Sequence, residues 1–172
     1  MKYNFSEIRN DLNRNSVNNF NLSLKDTEII DLLGKYGISQ KSITLWGSGN
    51  VRREFLHADD LADAVVYLTD KINFSNILHE DYGIINPKFP LTVSEIRNTH
   101  INIGTGKDIS IKELSDIIKT ITNYNGQIKW DTNFPDGTFR KMLDVTKLHS
   151  LGWRHKIKLK EGIKSVYKNY IS

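Results

Sequence analysis

Apolar positions recur along this chain with a helical period in some stretches and a strand period in others, and the change from one to the other marks its elements. Ile29, Ile30, Leu32 and Leu33, behind the capping candidates Asp26 and Thr27 and ahead of Gly34 and Gly37, predict a short helix. Residues 42–46, SITLW, alternate and are rich in β-branched side chains, which predicts a strand. Leu61, Ala64, Val65, Leu68 and Ile72 fall at helical spacing with Asp59 or Asp60 as the cap, so a helix with one buried face is expected. Residues 100–104 predict a short strand. Ser110 and Glu113 have capping-box spacing, and the stripe Ile111, Leu114, Ile117, Ile118 and Ile121 predicts the amphipathic helix that follows. Further on come a strand at 127–131, a loop at 133–141, and a short helix capped by Asp144 and stopped by Gly152. A last helix carries Leu159, Ile163, Val166, Tyr167 and Tyr170 on one side. Residues 1–23 are rich in asparagine and hold no sustained period, so they read as a surface segment, insertion or frayed end rather than a core element. Residues 73–99, with Gly83, Pro87 and Pro90, read as a long loop or insertion. Strands separated by helices imply an α/β arrangement.

Composition narrows the function classes. The chain has 172 residues, of which 38% are apolar and 26% charged, which suits one soluble domain or part of a larger one. It contains no cysteine, so disulfides, thiolate metal sites and a cysteine nucleophile are excluded within it. The five histidines show no i/i+4 pairing, and no metal site is expected. No stretch approaches the ~18 continuous apolar residues of a membrane span, and the N-terminus has no signal-peptide core, so no membrane association and a cytoplasmic location are expected. The net charge of +4 is concentrated after residue 139, in Arg140, Lys141, Lys147, Arg154, Lys156, Lys158, Lys160, Lys164 and Lys168. Such a bias attracts phosphate esters or nucleic acid, and a basic nucleic-acid-binding module is the alternative it raises; lysines on a solvated helix face explain it more simply.

Two glycine pairs invite a dinucleotide reading. Gly47 and Gly49 follow the first predicted strand, but the third position of a G-x-G-x-x-G loop is Arg52; Gly104 and Gly106 also follow a strand, but their third position is Ile109. Without the glycine that packs helix on strand, neither is a nicotinamide-cofactor loop. Tyr67 and Lys71 match the Y-x-x-x-K spacing of short-chain dehydrogenases, but a tyrosine and lysine at that distance arise by chance in a lysine-rich chain, and no glycine loop places a cofactor beside them. Arg53, just past Gly-Ser-Gly, offers a planar fork of donors for a diphosphate, or else pairs with Glu54 or Asp59 at the surface. Trp46 either stacks on a base or sugar or fills the core at a strand end, and taken singly the core reading is favoured. Asp136, in Phe-Pro-Asp-Gly-Thr, suits a turn in which aspartate serves its own backbone.

Order decides what the single motifs leave open. ITLWGSGNVRREFLHADDLADAVVYL, HINIGTGKDISIKELSDIIKTI, FPDGTFRKMLDVTKLHSLGW and LKEGIKSVYKNYI resemble, in sequence and succession, the C-terminal part of the bacterial GDP-L-fucose synthases, within the extended short-chain dehydrogenase/reductase (nucleotide-sugar epimerase) family. The likeness is strong over 42–172. Residues 1–41 look like the helical insertion that some members carry. The resemblance implies an incomplete extended short-chain dehydrogenase fold: a substrate-binding portion at 42–172, with 57–72 and 100–104 completing a Rossmann domain whose N-terminal part is absent. It implies NADP(H) as cofactor of the full-length enzyme, with none bound by this chain alone, a GDP-sugar substrate, a homodimer, and a missing N-terminal portion as partner. The family's catalytic cysteine, histidine and Ser/Tyr/Lys set have no counterparts here, so no catalytic residue is assigned. By motif position Trp46, Arg53 and Asp136 hold the GDP-sugar, and Arg140 and Lys141 assist with phosphate; Phe139 replaces the usual proline of that loop. Exposed apolar surface is expected where the missing half would pack. A relative acting on another nucleotide sugar fits the same residues.

Overall fold

A computed structural model describes residues 4–15, 18, 20–77 and 99–171. The chain begins with two helices, α1 (Phe5–Arg14) and α2 (Asp26–Lys35). Leu12 of α1 is buried against Ile29, Leu32 and Leu33 of α2, with Phe5, Ile8, Phe20 and Leu24 around them. The N-terminal segment therefore does contribute to a core, contrary to the expectation for 1–23. Its apolar residues are too few to show a period yet pack because α2 supplies the other side of the layer. Arg9 closes the pair, donating to Asp26 at 2.7 Å and to the Leu24 carbonyl at 2.6 Å. The cap of α2 is Lys25, one residue before the expected Asp26, with Glu28 reaching back to the Lys25 N–H at 2.6 Å.

Strand β1 (Ser42–Trp46) lies where the alternation places it and pairs in parallel with β4 (Gln127–Asp131), from Ser42 opposite Gln127 to Trp46 opposite Asp131. A second sheet has β2 (Arg52–Glu54) at its centre. It pairs antiparallel with β3 (Asp108–Ser110) and parallel with β5 (Arg140–Lys141), a strand inside the expected loop. Residues 100–104 form no strand, because no described strand lies beside them to complete a ladder. Ile101 and Ile103 pack instead against the main core of Ala64, Val145, Leu148 and Trp153.

Helix α3 (Ala58–Lys71) is capped by His57, whose Nδ1 accepts the Asp59 N–H at 3.2 Å, rather than by Asp59 or Asp60. Asp60 is buried and accepts the N–H groups of Lys156 and Ile157, tying the 153–157 segment to the helix. The expected apolar stripe is split. Ala64, Tyr67 and Leu68 pack on the core, whereas Leu61 and Val65 face outward at 45% and 50% exposure, since no described layer covers that side. The Tyr67 hydroxyl donates to the Leu151 carbonyl at 2.9 Å, a structural bond rather than a reactive pairing with Lys71. A single turn, α4 (Phe74–Ile77), follows; the rest of the expected 73–99 loop, 78–98, lies outside the described residues.

Helix α5 (Ile111–Ile121) opens on the expected capping box. Ser110 Oγ accepts the Glu113 N–H at 3.1 Å, and the Glu113 carboxylate accepts the Ser110 N–H at 2.9 Å. Helix α6 (Thr146–Ser150) starts at Val145, with Asp144 accepting the Thr146 N–H at 2.9 Å, and Gly152 follows it at φ +96°. Helix α7 (Leu159–Ile171) packs beside α5. Its Gly162 is buried against His57, where a Cβ would come within 2.9 Å of the ring.

Candidate functional site

The Gly-Ser-Gly turn is shaped by what presses on its glycines. Gly47 and Gly49 have φ of +78° and +76°, the left-handed region that glycine adopts without strain. A Cβ on Gly49 would meet the Trp130 ring at 2.6 Å, and one on Gly47 would collide with the Asp136 carboxylate. Asp136 accepts the Ser48 N–H at 2.8 Å and the Ser48 hydroxyl at 2.6 Å. It thus serves a backbone 88 residues away, not its own turn. The Ser48 hydroxyl first, then its N–H, hold the Asp136 carboxyl below its ordinary value of 3.8.

The second glycine turn is also filled by a carboxylate. Glu54 Oε1 accepts the N–H groups of Thr105 and Gly106, the latter at 2.6 Å, and the Thr105 hydroxyl at 3.1 Å; Oε2 accepts the Leu143 N–H at 2.8 Å. Burial pushes this carboxyl up, and the donors from Leu143, Gly106 and Thr105 more than offset it, so the net direction is down from 4.5. A dinucleotide pyrophosphate needs free amides and no negative charge at its loop. Both turns instead hold a carboxylate against their amides, so the described residues do not fit that group.

The loop between β4 and β5 brings the sequence-derived residues together. Phe134 stacks on Trp46 with centroids 4.4 Å apart and planes 11° from parallel. Trp46 is 72% exposed, which overturns the reading of it as core filling. Arg53 Nη1 donates to the carbonyls of Arg52 at 2.6 Å and Thr138 at 2.8 Å, and neither Glu54 nor Asp59 pairs with it. Its remaining guanidinium donors have no protein partner among the described residues. Arg53 stands opposite Lys141 in the β2–β5 register, and both line an open cavity of about 590 Å³ with Glu54, Gly104, Met142 and Leu143. Asp136 belongs to this loop and Trp46 packs on its Phe134, and neither lines the cavity.

Arg140 is placed differently from its neighbour. Its guanidinium pairs with Asp108, which also binds Arg52 Nε at 2.8 Å, and the Asp108 side chain is only 5% exposed. Arg140 and then Arg52 hold that carboxyl below its ordinary value. Arg140 is therefore a strut between β5, β2 and β3, and Lys141 is left as the residue of the pair that faces the cavity. Lys156 is likewise engaged, with Asp63 at 2.9 Å, so the basic run beyond residue 139 is partly neutralised within the fold. The residues that sequence reasoning missed are Glu54, Asp108, Phe134 and Ser48. Glu54 stood inside the quoted RREFL motif, but a carboxylate that binds backbone amides of distant loops leaves no local pattern.

An α/β chain with a cationic cavity between its second sheet and the following loops is the class that the geometry defines. Its sequence matches the NAD dependent epimerase/dehydratase family over residues 17–82. It is 40% identical over 129 residues to the GDP-L-fucose synthase of Escherichia coli (strain K12), covering 75% of this chain and 36% of that enzyme. Among solved structures, a GDP-6-OMe-4-keto-L-xylo-heptose reductase from C. jejuni superposes with a TM-score of 0.77 at 40% identity, over 98% of this chain and 42% of that one. The UDP-glucose 4-epimerase of Thermotoga maritima, at 21% identity and a TM-score of 0.54, shares the fold. By sequence the chain is similar to that synthase and that reductase, and it spans about a third of the length of the curated relatives it matches.

Proposed function

We propose that this chain forms the GDP-sugar-binding portion of an NADPH-dependent enzyme of the GDP-L-fucose synthase type, which epimerises GDP-4-keto-6-deoxy-mannose at two carbons and reduces its ketone. The observation that carries the reading is the placement of Arg53 opposite Lys141 across β2 and β5, two cations without a carboxylate partner among the described residues, lining one cavity. A diphosphate presents the matching charge and fork geometry. Trp46, held on the exposed face of the neighbouring turn, supplies a flat surface for the ring of the sugar or base. Asp136 and Arg140 support this site by fixing the turn and β5. The nicotinamide loop and the catalytic set belong to the part of the family fold that this chain does not match, and the chain is inactive alone.

An NMR titration of the chain with GDP, guanosine and NADPH tests this. GDP should bind weakly, with a dissociation constant of about millimolar. Guanosine and NADPH should not bind, and Arg53→Ala should abolish the GDP shifts while Trp46→Ala weakens them. Tight NADPH binding, or GDP binding indifferent to Arg53→Ala, overturns the proposal. A second reading, a reductase acting on a GDP-heptose, is supported by the superposition on the C. jejuni reductase, which covers 98% of this chain at 40% identity. Titration with a GDP-hexose against a GDP-heptose separates the two.

A further inference from the structure

We infer that Glu54 is the positioning residue of the cavity, a clasp that holds its two walls against β2 and leaves the charge of Arg53 and Lys141 free for a ligand; this rests on the function proposed above. One wall carries Gly104, beside the Thr105 and Gly106 amides bound to Oε1; the opposite wall carries Leu143, bound to Oε2, two residues beyond Lys141. A carboxylate has about four acceptor positions. Three donors converge on Oε1 and one reaches Oε2, so the carboxylate is engaged chiefly by the two loops it joins. The same bonds settle where its charge goes. Glu54 adjoins Arg53 in sequence, yet it is compensated by backbone dipoles and does not pair with the guanidinium. Gly104 is the glycine that permits this approach, since a Cβ there would lie 2.5 Å from Glu54 Oε1. Glutamate is required by length and symmetry. Aspartate is one methylene short of spanning both walls, and glutamine would turn an N–H₂ donor toward one set of N–H groups.

The test uses the full chain and three measurements on Glu54→Gln: thermal unfolding, amide exchange at Thr105, Gly106 and Leu143, and GDP affinity by NMR. The variant should remain folded, exchange faster at one wall, and bind GDP about tenfold more weakly, as loss of hydrogen bonds to a charged acceptor implies. A double-mutant cycle with Lys141→Ala distinguishes positioning from general destabilisation. With Glu54 acting through Lys141, the double variant loses little more than Lys141→Ala alone; independent, multiplicative losses overturn the inference. Unchanged affinity or unchanged exchange overturns it too. If Glu54→Gln does not fold, Gly104→Ala strains the clasp while keeping the charge and should weaken GDP binding in the same way. Should the wild-type chain bind no GDP, the functional proposal fails, and exchange alone then judges the clasp: slow exchange at the three amides that Glu54→Gln accelerates sustains it, and equal exchange refutes it.

Discussion

Asp136 shows how a residue's chemistry can be legible while its partner is not. The sequence places an aspartate in a turn between prolyl and glycyl residues, and the local expectation is that it caps its own backbone. In the fold it reaches back to Ser48 and fixes the Gly-Ser-Gly turn from outside, a contact no spacing rule encodes. The consequence is a pH dependence with a definite sign. The folded carboxyl titrates below its ordinary 3.8, so its stabilising contribution is complete above that value and fades as pH falls through the lower folded value. Asp136→Asn cannot titrate. Urea midpoints measured at pH 6 and pH 2.5 should therefore show the wild type losing more stability than the variant; equal losses would show that the carboxylate is not held by Ser48. Trp46 and Arg53 illustrate the complementary case. Their motif positions are readable from order along the chain, but only the fold shows that the indole is exposed and that Arg53 keeps its Nε and Nη2 donors without a partner among the described residues.

Elements whose bonds are local were the legible ones. Helix α5 is written into its sequence twice, as the Ser110/Glu113 box and as the isoleucine stripe; the box is present, whereas the stripe is at most half-buried, with Ile118 41% exposed and Ser115 the buried residue of the helix. Removing the cap with Ser110→Ala should cost about 1 kcal/mol, read as a shift in the urea midpoint with unchanged slope. A change below a few tenths would mean that β3 pairing holds the helix start by itself. Strands β3 and β5 are short and exist because β2 lies between them, so their pattern could not be read from their own residues. The opposite failure occurs at 100–104, where alternation is present and the pairing partner is not. Helix α3 was predicted correctly in place and incorrectly in burial, for a related reason: periodicity reports which side of a helix is apolar, and the presence of a covering layer is a property of the rest of the fold.

At the scale of the molecule, that uncovered side of α3 carries the clearest consequence. Leu61, Val65 and Val66 are 45%, 50% and 60% exposed along one helix, in a chain that spans only about a third of its curated relatives. A cluster of exposed apolar side chains on a regular element marks a surface adapted to be covered. The core side of the same helix is independently satisfied by Ala64 against Leu148 and Trp153, and by the Asp63 carboxylate accepting from Trp153 Nε1 at 2.8 Å. Charging the outer face should therefore leave the fold standing. The double substitution Leu61→Lys and Val65→Lys is expected to shift stability by no more than about 1 kcal/mol, since surface changes away from buried partners rarely exceed that. It should at the same time lower binding of an apolar dye and reduce self-association in sedimentation velocity. If the variant instead unfolds, the face is packed in solution and α3 is a core helix; if it folds and self-associates as before, the apolar contact lies elsewhere, with Val166 and Ile171 on α7, 60% and 63% exposed, as the next face to charge.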